Sequence, residues 1–261
     1  MRAVRLVLSF LLILSSSPRL DSQQSTPAMK DPTGLHVLEQ MLAATGWNTA
    51  AIPVDVLATG TVTMPGDSSG PASSKSVTLK ARGLNQFSFE TTGQSGGKRS
   101  VVNAGSGSAA IGTKQVPLPA RVFDAWHFPF LSSLVFSADP TIQVQYLGIE
   151  QLDEPTYKVM LNREPSPNDP ARDEIQAGSP VTVWVSSSTF LPLQVQYQKP
   201  TITNRLAFLP RTAKYSDYRK VGNMLVPFKR EESYQGELIY TLRFSNVSFN
   251  NGFSDTDFTV P

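Results

Sequence analysis

The chain contains two histidines and no cysteine, so few of its side chains could act as a catalytic base or a soft metal ligand. The absence of cysteine excludes a thiolate nucleophile, a disulfide and cysteine-ligated zinc. His36 falls in a predicted helix beside leucines and His127 among aromatic residues, which favours structural roles for both. A Ser-His-Asp triad stays open because its members can be distant in a chain. However, no Gly-x-Ser-x-Gly elbow stands between a predicted strand and a predicted helix.

Signals for metal, nucleotide or nucleic-acid binding are also weak. Histidines and carboxylates do not cluster with metal-ligand spacing, so we expect no metal and no cofactor. Residues 105–110 partly imitate a dinucleotide-binding loop, but a strand rather than a helix is predicted to follow, and a phosphate would find no helix dipole there. A net charge of +2 without a basic stripe argues against a nucleic-acid partner. We predict a protein that is not an enzyme, with a hydrolase as the less favoured alternative.

The N-terminus has the three-part order of a secretory signal. Arg2 and Arg5 form a basic start, an apolar run over residues 6–14 follows, and small or polar residues come next. This run is shorter than the roughly 20 residues that span a bilayer, which favours a cleaved signal over an uncleaved anchor. No other segment is long and apolar enough to span a membrane. Because secreted eukaryotic domains often carry disulfides, the absence of cysteine favours the bacterial periplasm.

One amphipathic helix is predicted at the start of the mature chain. Asp31 can cap its first turn, and the proline that follows suits that position. Leu35, Leu38 and Leu42 recur at helical spacing. Gly46 can end the helix in the left-handed conformation.

Short alternating runs after this helix predict an antiparallel β protein. The predicted strands are 56–64, 76–82, 86–92, 99–104, 108–114, 142–152, 157–162, 181–185, 191–198, 215–219, 225–233 and 238–249. Residues 164–180 are predicted to be a loop, and residues 199–212 to be irregular. Turns are predicted at Gly222-Asn223 and at Gln235-Gly236. The predicted division is a signal peptide over 1–22, a linker over 23–30 and one domain over 31–261.

The most aromatic stretch of the chain is residues 122–136. Pro129 divides it, which predicts two short helical pieces instead of one long helix. This segment is either ordinary core packed on the sheet or the lining of a cavity. Both interpretations need apolar side chains, so composition does not separate them.

Several motifs resemble the outer-membrane lipoprotein-sorting carriers, the LolA/LolB-like proteins. Residues 215–229 look like that family's strand, Gly turn and Leu-x-Pro strand. Residues 242–250 followed by 255–261 resemble its closing strand and Asp-x-x-Phe tail. Residues 181–186 followed by 191–194 match its hairpin with a Leu-Pro second strand. These motifs are turn and core residues, so any function they imply comes by analogy.

The resemblance implies a mostly β (α+β) fold. A strongly curved antiparallel sheet would form an incomplete barrel, with the N-terminal helix and the helical insert packed on its concave side. It also implies a periplasmic, monomeric carrier that holds an acyl chain of a lipid or lipoprotein in an apolar cavity. The alternative is a non-catalytic envelope interaction or sensor domain of the same fold, with an envelope protein as its partner.

Candidate cavity residues follow from this implication. They are Leu79, Phe87, Phe89, Phe123, Trp126, Phe128, Phe130, Leu131, Leu134, Val135, Val183, Val185 and Leu193. By the same resemblance, Arg82 is the candidate residue that holds a helical lid shut, and an ordinary exposed charge at a strand end is the alternative for it.

Overall fold

The computed structural model describes residues 29–46, 53–66, 70–83, 86–93, 97–103, 106–111, 114–118, 140–170, 172–200 and 207–259. The predicted signal peptide and the aromatic segment 122–136 lie outside these residues, so their structures stay predictions.

The described residues form one open antiparallel sheet of 13 strands. The strands are β1 Asp55–Met64, β2 Ser73–Arg82, β3 Gln86–Thr92, β4 Lys98–Asn103, β5 Ser106–Ile111, β6 Lys114–Leu118, β7 Ile142–Gln151, β8 Pro155–Arg163, β9 Val181–Ser186, β10 Pro192–Pro200, β11 Phe208–Val221, β12 Met224–Tyr234 and β13 Glu237–Phe249. Three helical segments accompany them: α1 Pro32–Ala44, α2 Arg172–Gly178 and a 3-10 helix over Asp255–Phe258.

The strand order explains why the sheet is open. Consecutive strands pair as hairpins on both sides of a central pair, in which β1 lies beside β13. The order runs from β6 to β1, then from β13 to β7, so β6 and β7 are the two edges. Register shifts between β1 and β13, β7 and β8, β9 and β10, and β12 and β13 are of the kind that bends strands. The predicted incomplete barrel is confirmed.

Strict alternation gives the sheet two different faces. On β2, Val77, Leu79 and Ala81 are buried, while Thr78 and Lys80 between them point to the opposite side. Because paired residues on neighbouring strands point to the same side, the register extends this pattern across the sheet. We call the side of Leu79 the inner face and the side of Lys80 the outer face.

Two apolar clusters cover the inner face. The helix-side cluster comprises Val37, Leu38, Met41, Ile142, Val144, Val159, Leu161, Val181, Val183, Val185, Val195, Tyr197, Ala213 and Tyr215. The central cluster comprises Val56, Ala58, Val62, Val77, Leu79, Ala81, Phe87, Met224, Val226, Phe228, Leu242, Phe244 and Val247. All of these residues are at most 6% exposed, so this face is the core of the described sheet.

Helix α1 forms as the sequence predicts and lies on the inner face. The Asp31 carboxylate accepts hydrogen bonds from the backbone N–H groups of Thr33 and Gly34 at 2.8 and 3.1 Å. Leu38 packs into the helix-side cluster, whereas Leu42 packs against the central cluster. The helix therefore ties the two clusters together. It ends at Ala44, two residues before Gly46, whose positive φ of 78° and close approach to Asn223 leave no space for a Cβ atom.

Three predictions about local structure are wrong. Residues 164–180 are not all loop, because the helix formers in Arg172–Gly178 form α2 between flanking prolines. Residues 108–114 split into β5 and β6. The segment predicted as irregular already belongs to β11 from Phe208 onward, because backbone pairing with both β10 and β12 overrides its mixed composition.

The C-terminal tail is fixed to the outer face by a buried carboxylate. Asp55 is only 2% exposed. Its oxygens accept hydrogen bonds from the backbone N–H groups of Asn251, Gly252 and Phe253 at 2.6, 2.8 and 3.0 Å, and from the Asn251 amide at 3.0 Å. Although burial would raise it, these donors hold the pKa of Asp55 below its usual range. The carboxylate therefore stays charged in the folded protein at neutral pH.

The 3-10 helix continues this attachment across β2, β3 and β4. Phe258 is buried, and Lys80 on the outer face forms a 2.7 Å ion pair with Asp257. Arg99 of β4 donates a 2.9 Å hydrogen bond to the Asp257 carbonyl. The last described residues therefore cover part of the outer face, where the paired residues Ser88 and Val101 are also buried.

The attachment of the tail predicts a specific destabilisation. Asp55→Ala leaves the backbone N–H groups of residues 251–253 without their acceptor, so the free energy of unfolding should fall by about 3 kcal/mol in urea denaturation. The matched control is Asp153→Ala, which removes an exposed carboxylate and should change the free energy by less than about 0.5 kcal/mol. Equal stabilities of the two variants would contradict this account of the tail.

Candidate functional site

The described cavity candidates lie on the inner face but belong to both apolar clusters. Leu79 and Phe87 are buried in the central cluster, and Phe89 packs against it. Val183 and Val185 are buried in the helix-side cluster. Leu193 is half-buried beside the register shift between Pro192 and Gln194. The remaining candidates lie outside the described residues: Phe123, Trp126, Phe128, Phe130, Leu131, Leu134 and Val135.

Arg82 bonds to the C-terminal tail. Its guanidinium donates to the Phe253 carbonyl at 2.8 Å and pairs with Asp255, and it also bonds to Gln86. These partners lie on the outer face, since Arg82 alternates with the buried Ala81. A role in holding a lid shut stays a prediction for this residue.

A charged group that sequence reasoning missed interrupts the apolar inner face. Arg230 and Glu232 on β12 are each 1% exposed. They occupy every second position in the same register as Val226 and Phe228, which belong to the central cluster. This alternation was the signal that could have revealed them, because charges at inner-face positions of a buried strand require partners.

Tyrosines from neighbouring strands complete the group. One carboxylate oxygen of Glu232, Oε2, accepts hydrogen bonds from Arg230 Nη2 at 2.8 Å, from the Tyr197 hydroxyl at 2.8 Å and from the Tyr240 hydroxyl at 2.6 Å. Arg230 in turn donates to both hydroxyls. We call these four residues the inner polar network. It joins β10, β12 and β13 between the two apolar clusters.

The charge state of the inner polar network follows from its contacts. Burial alone would raise the pKa of Glu232, but the cations of Arg230 and Lys199 and the two hydroxyl donors lower it to about 2. Burial raises the pKa values of the Tyr197 and Tyr240 hydroxyls well above their usual range. At neutral pH the network therefore contains one cation, one anion and neutral hydroxyls, so the buried charges cancel.

Metal binding and membrane spanning find no support in the part of the chain that the structure describes. No three His, Asp or Glu side chains there lie close enough to hold an ion. None of the helices there has the length and apolar character needed to cross a membrane.

Comparison with known proteins identifies the fold. No protein-family model matches the chain, and no curated protein matches its sequence. A LolA superfamily protein from Nitrosomonas europaea aligns with a TM-score of 0.56 and 12% identity over 87% of this chain and 97% of its own. A putative outer membrane lipoprotein-sorting protein domain from Vibrio parahaemolyticus aligns with a TM-score of 0.54 and 14% identity over 87% of this chain and 96% of its own.

A third solved structure has the same architecture. A DUF1329 family protein from Desulfovibrio piger aligns with a TM-score of 0.53 and 11% identity over 87% of this chain and 97% of its own. Because these sequence identities are low, the similarity shows the fold alone. The chain thus has a LolA-like fold, as its motifs predict.

The inner polar network predicts a large cost for losing one charge. Glu232→Gln leaves the buried Arg230 guanidinium without its counter-ion, so the free energy of unfolding should fall by about 3–5 kcal/mol. The double variant Arg230→Met/Glu232→Leu removes both charges and should recover most of that loss. Urea denaturation of the three proteins tests this. A double variant as unstable as Glu232→Gln would contradict the assignment.

The lowered pKa of Glu232 also predicts how stability depends on pH. Its pKa is about 2 in the folded protein and about 4.3 in an unfolded chain. The stabilisation is thus fully present above about pH 5 and is lost as the pH falls from about 5 towards 2. The stability difference between wild type and Glu232→Gln should shrink over that range in pH-dependent urea unfolding. A constant difference would contradict this pKa.

Proposed function

We propose that this protein is a periplasmic carrier that holds the acyl chain of a lipid or lipoprotein on its apolar inner face. The LolA-like fold supports this proposal, as does the signal-like N-terminus. In this proposal the aromatic segment 122–136 serves as a lid over the inner face.

The extent of the apolar inner face is the observation that carries the proposal. Helix α1 has 13 residues, which makes it about 20 Å long. The sheet has 13 strands, and at about 4.8 Å per strand its inner face extends over roughly 60 Å. Among the described helices, α1 is the one that contributes to both clusters, and it is too short to cover a face of this size. Parts of the protein other than α1 therefore cover the rest of this face, since its cluster residues are at most 6% exposed, and in this proposal the hydrocarbon chain displaces some of that cover.

The energy of this contact suits a carrier that must release its cargo. Burial of one CH₂ group contributes about 0.8 kcal/mol, so a dozen methylenes contribute on the order of 10 kcal/mol. Association costs of comparable size offset much of that gain. The net affinity then falls near the micromolar range, which permits both capture and delivery.

Chain length provides a direct test of acyl binding. Saturated fatty acids of 8, 10 and 12 carbons should displace the neutral fluorescent probe N-phenyl-1-naphthylamine from the delipidated protein. Each added CH₂ should tighten binding by about fourfold if it is fully buried. Displacement that does not depend on chain length, or no saturable probe binding at all, would remove the proposal.

The position of the chain predicts a difference between the two faces. Val62→Gln replaces an apolar side chain of the central cluster and should weaken dodecanoate binding by about tenfold. The matched control is Leu57→Gln, because Leu57 pairs with Lys80 and faces outward. This control should leave the affinity unchanged, with urea denaturation confirming that both variants are folded. Equal losses in both variants would place the ligand elsewhere.

A further inference from the structure

A second polar feature of the inner face lies beside the inner polar network and is basic. Tyr197 on β10 is paired with Arg211 on β11, and Arg211 is paired in turn with Tyr234 on β12. Lys199 lies two residues beyond Tyr197 and therefore points to the same face. Since Lys199 is paired with Leu209, it is the diagonal neighbour of Arg211. We call Lys199 and Arg211 the basic pair.

The charges near the basic pair do not balance. Glu232 is already matched by Arg230 at 2.8 Å and by two tyrosine hydroxyls. Among the described residues, neither Lys199 nor Arg211 forms an ion pair with a carboxylate. Counted over the described side chains, the inner face thus carries two cations in excess at this end of β10 and β11. Lys199 contributes to the low pKa of Glu232, so its charge acts on this face.

Arg211 also has an unused hydrogen-bond donor. Its guanidinium lies over the Tyr234 ring, with Cζ 5.1 Å from the ring centroid, a cation–π contact that stabilises this position. The Nε–H is buried and has no hydrogen-bond partner among the described residues. The Nε–H of the fully buried Arg230 likewise has no hydrogen-bond partner among the described residues. A buried donor without an acceptor costs free energy, and an anionic oxygen would supply the missing acceptor.

We infer that the basic pair binds the anionic group of an amphiphile whose hydrocarbon chain lies on the inner face. This inference rests on the proposed function and specifies its ligand class as amphiphiles with a carboxylate or phosphate head. The guanidinium of Arg211 presents a planar fork that matches two oxygens of such a group. Lys199 adds a mobile point charge at the exposed margin. The apolar clusters then hold the hydrocarbon chain of the ligand, so its head group and its hydrocarbon chain are bound at different places on the inner face.

Ligands that share one chain but differ in the head group test the inference. Dodecanoate, dodecyl phosphate and dodecanol would each be titrated at pH 8 against the full-length mature protein loaded with N-phenyl-1-naphthylamine. At least one of the two anions should bind about tenfold or more tightly than dodecanol, and the stronger of the two identifies the head group as carboxylate or phosphate. The preference should decrease at 0.5 M salt, where charge interactions are screened.

Three variants test whether the preference for an anionic head group comes from the basic pair. Arg211→Gln and Lys199→Gln should each reduce the preference for the anion to about threefold or less, while the affinity for dodecanol stays unchanged. Lys214→Gln is the matched control, because Lys214 is an exposed residue of β11 on the outer face and its loss changes the net charge equally. Lys199 is exposed, so its variant keeps the test valid even if Arg211→Gln fails to fold.

The outcomes separate this inference from the proposed function. Equal affinities for dodecanol and both anions would overturn the basic pair as a head-group site and leave acyl binding intact. An equal loss of preference in Lys214→Gln would also overturn it, since net charge would then explain the effect. Absence of any displacement by the three dodecyl ligands would overturn the proposed function and the inference together.

Discussion

The structure depends on keeping one face of a wide antiparallel sheet away from water. Alternation along the strands directs Leu79, Val183 and their equivalents to the same side, and the two resulting clusters span the central strands and the β7–β11 half. The pairing of β1 with β13 joins these halves through the first and last strands of the described residues. Helix α1 links the clusters across the face, and the C-terminal tail is fixed to the opposite face by Asp55. The inner face is thus covered by apolar contacts, whereas the outer face holds the C-terminal tail through polar contacts.

The inner polar network shows how charge is tolerated within that apolar face. Arg230 and Glu232 cancel each other, and the Tyr197 and Tyr240 hydroxyls satisfy the carboxylate. Charges that are paired in this way cost far less than an isolated buried charge, although the Nε–H of Arg230 has no partner among the described residues. It also places a polar zone next to hydrocarbon-like surface, which is the arrangement that an amphiphilic ligand requires. The excess charge of Arg211 lies at this boundary, so the proposed acyl site and the inferred head-group site are parts of one surface.

Local chemistry made much of this fold predictable. Asp31 and Gly46 mark the ends of α1 because capping and left-handed backbone need those residue types. Strand alternation predicted most strands, and the turn at Gly222-Asn223 joins β11 to β12 as expected. The inner polar network was not predicted, since Tyr197 comes from a strand more than thirty residues before Glu232. The attachment of the tail by Asp55 was missed for the same reason, because its partners lie almost two hundred residues away.

A crystal structure of the delipidated protein soaked with dodecanoate tests the central claim most directly. We expect a continuous hydrocarbon chain on the inner face, with its carboxylate directed towards Arg211 and its methylenes in contact with a central-cluster residue within reach, such as Leu242. An inner face packed flush against the protein's own side chains, with no space for even a short alkyl chain, would contradict it.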